Sequence, residues 1–168
     1  MKNPARHKNR EAEYFLSVMK QTFEDDNVFS YNLSAFLSAA RSMTFYMQKQ
    51  YSHRNGFAEW YCRKQIEMSA DRELVFLKKA RVEDIHTETV RTGATREATG
   101  DARACIAVKG TLENEQVGEI KPKPPTQSSP KTLRRFFPEL ENGDVVEFCE
   151  RQLAKLSKLV EECESRFP

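Results

Sequence analysis

The stretch VFSYNLSAFLSAARSMTFYMQKQY, residues 28–51, decides the fold. Leu33, Phe36, Leu37, Ala40, Thr44, Met47 and Tyr51 recur at three- and four-residue spacing, so they share one face of a helix. Ser34, Ala35, Ser38, Ala39 and Ser42 are small and let another helix approach closely. The run Glu24-Asp25-Asp26-Asn27 supplies capping side chains for the free amides at the start of the helix. The pattern predicts the longest and most central helix of the chain.

Working outward, Tyr14, Phe15, Val18, Met19 and Phe23 predict an amphipathic helix over about residues 8–23. His53-Arg54-Asn55-Gly56 reads as a turn. Phe57, Trp60, Tyr61 and Ile66 then mark a helix over about 57–68. Ser69-Ala70-Asp71 forms a cap, and Leu74, Leu77, Ala80 and Ile85 continue a fourth helix over about 72–85. From residue 87 onward Thr and Gly dominate, and Ala104, Ile106 and Val108 alternate with their neighbours as in a half-buried strand. Val117 and Ile120 suggest its return partner, making a hairpin, and Lys121 to Pro130 reads as a proline-rich spacer or a partner-docking segment. Asp144 and Glu147 resemble a capping box for a last helix over about 144–165. In it Val146, Cys149, Leu153, Leu156, Val160 and Cys163 step by three and four, a seam suited to packing on the bundle. The expectation is a single all-α domain over residues 1–168, an up-down bundle with a β-hairpin insertion and linker over about 87–131.

Composition bounds the function. The chain has 168 residues, 39% hydrophobic and 31% charged, with a mean hydropathy of −0.71. Eleven Phe, five Tyr and one Trp are too many for a disordered chain. No stretch approaches the roughly 20 apolar residues of a membrane span, and the start lacks a signal-peptide apolar region, so a cytoplasmic protein without membrane contact is expected. The net charge of +2 conceals blocks: residues 2–10 carry +4, residues 121–135 carry +5, and Glu139 to the end carries −4. Such runs attract phosphate or are simply solvated surface. Cys62, Cys105, Cys149 and Cys163 have no metal-ligand spacing and are expected to be reduced and structural. With three histidines, no metal or cofactor is called for. His7 and His53 lie in a basic start, expected to fray, and in a turn, and both read as solvated.

His86 stands apart because it closes Arg81-Val82-Glu83-Asp84-Ile85-His86, an Arg-x4-His motif at the end of the fourth helix. With this motif, the phrase Tyr31 to Arg41 in the second helix, the aromatic third helix, the strand-rich insertion and the Asp144 to Cys149 phrase of the last helix, the chain resembles the HEPN family. The resemblance covers about residues 10–86 and 132–165. It implies a HEPN-like bundle acting as a homodimer, with both copies of the motif lining one cleft and cleaving RNA without a metal. It also implies a toxin or defence role, with RNA or nucleotide as ligand and an antitoxin or nucleotidyltransferase as possible partner.

On that implication Arg81 holds the scissile phosphate and His86 moves a proton, while Lys78 and Lys79 add positive potential for the substrate. Positions five apart on a regular helix differ by about 140°, so Arg81 and His86 share no stripe. They converge if the helix unwinds before His86 or if each works with a partner chain. Val82 replaces the polar residue usual after the Arg, and Glu83 and Asp84 place negative charge beside the proposed phosphate. Two alternatives stay open: a non-catalytic HEPN module that dimerises or binds nucleotide, nucleic acid or protein, and a structural protein. The structural protein would dock a partner through its hairpin and proline-rich segment. A motif without function would have Arg81 pair with Glu83, Asp84 or another acid while His86 ends the helix.

Overall fold

A computed structural model describes residues 3–86, 92–98, 131–140 and 143–168. Five helices account for most of them: α1 (Pro4–Gln21), α2 (Asp26–Tyr51), α3 (Phe57–Ala70), α4 (Arg72–His86) and α5 (Val145–Arg166). Two strands, β1 (Gly93–Ala98) and β2 (Lys131–Phe136), pair as a two-stranded antiparallel sheet. The chain divides into two compact units, residues 1–94 with 135–168 and residues 95–134. The described part of the first holds all five helices and one end of each strand; that of the second is strand. The hairpin expected around 104–120 and the proline-rich segment lie outside the described residues.

Local chemistry sets the ends of the helices. Asn3 caps α1 by accepting from the Arg6 amide, and Pro4 occupies the first turn, where no amide hydrogen is missed. Asp25 accepts from the amides of Asn27 and Val28 at 3.1 and 2.9 Å, Asp71 from those of Glu73 and Leu74, and Asp144 from those of Val146 and Glu147. Gly56 precedes α3 with φ +80°, a left-handed conformation that costs glycine little. At Gly93 the constraint is space, since a Cβ there would fall 2.3 Å from a ring carbon of Phe136.

The contacts fix the direction of each helix. Lys8 lies over the Tyr46 ring and Asn3 precedes α1 at the far end of α2, so α1 and α2 form an antiparallel pair. α3 and α4 follow one another with Asp71 as the single break, and both run against α2: Tyr61 meets Gln48, Arg81 meets Ser38, and Asp84 meets Ser34. α5 runs against that broken rod, with Trp60 donating to Glu162, Gln152 donating to Glu73, and Phe76 packed on Phe148.

All seven apolar-face residues predicted for α2 are buried. On α5 the expected seam packs onto the bundle, with Cys149 and Cys163 as buried free thiols. Burial raises the pKa of both, Cys163 to about 12, so neither is a thiolate near neutral pH. Phe76, Phe137 and Phe148 form a triad of edge-on rings at 5.1 to 5.6 Å, each burial contributing about 1.5–3 kcal/mol. Phe57, Trp60 and Phe167 form a second cluster at the other end of α5.

Some details of the sequence pattern are overturned. α1 begins at Pro4 instead of fraying through residue 8, because Glu164 accepts from Asn3 and from Arg6 Nε at 2.7–2.8 Å. Its buried face is Ala5, Ala12, Leu16 and Met19, which leaves Tyr14 62% exposed. Ile66, placed on the buried stripe of α3, is 64% exposed.

Candidate functional site

The seam between α2 and the second half of α4 carries the residues singled out in the sequence. The Ser34 hydroxyl donates to Asp84 Oδ2 at 2.6 Å, and Arg81 Nη2 donates to Ser38 Oγ at 3.0 Å. Arg81 Nη1 lies 3.9 Å from the same Asp84 oxygen. The Asp84 side chain is 6% exposed and that of Arg81 is 21% exposed, so the pair largely closes the seam against α2. Ser34 supplies this buried carboxylate with a hydrogen-bond donor, and Arg81 adds a cation at longer range.

His86 is the last residue of α4, and the helix is unbroken from Arg72 to it. The two motif positions therefore stand about 140° apart around the axis, and unwinding does not bring them together. The His86 side chain lies outside the described residues, as does that of Ile85. Val82 is 50% exposed.

The two candidate substrate lysines differ. Lys79 Nζ is 3.0 Å from Glu139 and 3.6 Å from Glu83, and the hydrogen bond to Glu139 holds its pKa above the ordinary lysine value. Its positive charge is largely spent within the fold. Lys78 has no carboxylate partner among the described residues. It lies one turn before Arg81 and lines a groove with Arg41, which lies one turn after Ser38 on α2.

This groove has a volume of about 250 Å³ and opens at the break between α3 and α4. Tyr61 and Met68 come from α3, Leu74, Val75 and Lys78 from α4, and Arg41 from α2. Arg41 Nη1 donates to Thr44 Oγ1 at 3.1 Å, and its guanidinium lies 4.6 Å from the centre of the Phe45 ring. Gln48 Nε2 donates to Tyr61 Oη at 2.8 Å. Burial pushes the Tyr61 pKa up, so the phenol is neutral at ordinary pH.

The sequence offers Asp84 as a neighbour for Arg81, but reading it alone misses Ser34, Ser38 and Arg41 as the α2 side of the seam. The signal was in the quoted stretch, where Ser34, Ser38 and Arg41 follow the three- and four-residue spacing of a second face. Arg135 was counted in a basic run, yet its side chain is 4% exposed. It donates to the Phe23 carbonyl at 2.9 Å and to Asp26 at 2.6 Å, and it covers the Phe29 ring at 4.5 Å. Arg135 is an anchor of the α1–α2 turn.

Among the described residues, no group of three or more His, Cys, Asp or Glu is placed to hold a metal ion, and no helix is long and apolar enough to cross a membrane. Comparison of the chain with protein-family models, with curated proteins and with solved structures finds no match.

Proposed function

We propose that the chain is a HEPN-like homodimerising module that binds RNA or another phosphate ligand along the α2–α4 seam without cleaving it. The observation that carries this is the internal commitment of Arg81, whose guanidinium serves Ser38 and Asp84 of its own chain. A catalytic arginine needs its donors aimed at the phosphate oxygens where charge develops, and these donors are partly spent on the fold. Val82 points the same way, because an exposed apolar side chain beside the motif suits a contact with another chain better than a polar cleft. Tyr31 and Phe45 are also exposed, 68% and 56%, on α2.

A second reading, the metal-independent endoribonuclease, is favoured by one observation. Arg81 keeps about a fifth of its side chain exposed, one turn from the acid-free pair Lys78 and Arg41. Labelled RNA incubated with the full chain in excess chelator separates the two. Intact RNA, retained at low salt and released at high salt by a dimer, is the expected result. Chelator-resistant cleavage that disappears in both Arg81→Ala and His86→Ala establishes the nuclease instead. A monomer at every concentration, with no RNA retained, removes both.

A further inference from the structure

We propose that the groove between α2, α3 and α4 is a binding site for a small organic anion with an apolar body, such as a medium-chain or aryl carboxylate. Arg41 and Lys78 would hold the acid group, and Met68, Leu74 and Leu77 would pack the body. The assignment does not depend on whether Arg81 acts on RNA.

Charge matching carries the argument. Several cations on neighbouring surfaces have their acids: Lys64 with Glu67 and Glu162, Lys79 with Glu139, Arg151 with Glu73, and Lys155 with Asp71. Arg41 and Lys78 have none among the described residues, and no acid lines the groove. Two cations brought together at an acid-free cavity repel each other until an anion arrives.

The site is also arranged to receive one. Arg41 is held by Thr44 and by the Phe45 ring, which fixes its planar fork and leaves donors for a bidentate acid group. Tyr61, which Gln48 holds in place, is a neutral phenol able to donate to an oxygen. The remaining lining is mostly apolar and rigid, being helix on three sides. At about 30 Å³ per water in the liquid, the 250 Å³ volume equals roughly eight waters, room for a chain of about eight carbons or a bicyclic ring. Inorganic phosphate would leave the apolar wall wet, and a neutral hydrocarbon would leave two cations unmatched. The ligand therefore combines both characters.

Isothermal titration of the full chain with octanoate tests this, with octanol and octylamine as neutral and cationic isosteres. Octanoate should bind at one saturable site, at least about tenfold tighter than octanol, and octylamine should give no saturable heat. Arg41→Gln with Lys78→Gln should weaken octanoate about tenfold, while Lys79→Gln leaves it unchanged. Equal binding of octanol and octanoate, or an affinity unmoved in the double variant, overturns the proposal. An unmoved affinity with a changed oligomeric state would assign the two cations to carboxylates of a second copy. The isostere comparison uses the wild-type chain, so it decides the matter even if the double variant misfolds.

Discussion

The break at Asp71 has two sides, and the bundle treats them differently. Toward α5, Glu73 accepts from Arg151 at 2.9 Å, from Gln152 at 2.6 Å and from Lys155 at 2.9 Å, while Asp71 accepts from Lys155 at 2.7 Å. Charges there balance, and a fully buried amide is held in the middle. Toward α2 the same break leaves a groove lined, among the described residues, by two cations and no acid. Interrupting a helix exposes backbone and spreads neighbouring side chains, so each side needs filling. One side is filled from within the chain, which marks it as architecture. The other is left unmatched in charge, which marks it as the place to look for a ligand.

Breaking the balanced side should cost the most. Glu73→Ala removes the acceptor shared by three donors and strands the buried Gln152 amide, whose Oε1 already has no hydrogen-bond partner among the described residues. A stability loss of about 2–3 kcal/mol in urea unfolding is expected. An effect under about 0.5 kcal/mol would show that the cluster is a solvated surface pair and would erase the contrast.

The same group gives a pH signature. Hydrogen bonding from Arg151, with Lys155 and Gln152, lowers the Glu73 pKa from 4.5 to about 2. A folded-state pKa below the unfolded one means that the stabilisation is complete above pH 4.5 and is lost as pH falls from there toward 2. Unfolding midpoints measured between pH 6 and pH 2.5 should fall more steeply for the wild-type chain than for Glu73→Gln. Parallel curves would place the acid sensitivity elsewhere.

How much of this was legible depends on the length scale of the signal. α2 was read residue by residue, because a 26-residue helix buried along one face repeats its pattern enough times to fix the phase. α1 was placed with its buried face turned, since Tyr14 outweighs Ala5 and Ala12 in any hydrophobic count, yet small residues are what α2 and α5 admit at close range. Asp71 was read as a cap, and it is one. That α3 and α4 both run against α2 depends on contacts such as Arg81 with Ser38, 43 positions apart, which no local spacing encodes. Arg135 was misread for the same reason, because a basic run shows charge and hides which member lies under Phe23 and Phe29. Of the candidate site, the motif points to Arg81, and Lys78 is named beside it for its charge alone. Arg41 was passed over because it sat in a stretch already explained by its buried face.

A smaller effect is expected where the seam is only partly closed. Arg81→Ala removes one hydrogen bond to Ser38 and a cation 3.9 Å from Asp84, but the side chain is a fifth exposed and Ser34 still donates to the carboxylate. About 1 kcal/mol of lost stability follows. A loss as large as that of Glu73→Ala would mean that the α2–α4 seam is as architectural as the α5 side, and would weaken every ligand argument built on it.

The smallest effect on folding should come at Val82, and there the comparison sharpens most. The side chain is half exposed on a helix, and asparagine has a helix propensity close to that of valine, so Val82→Asn should leave unfolding within about 0.5 kcal/mol of wild type. If the outer face of α4 meets a second copy, the same change buries an amide in an apolar contact and should weaken the dimer, read as a shift toward monomer in sedimentation equilibrium. Unchanged folding with a weakened dimer separates the inward duty of α4 from its outward one. Unchanged folding with an unchanged dimer would move the interface off this face, leaving the groove beside it open to solvent and to its anion.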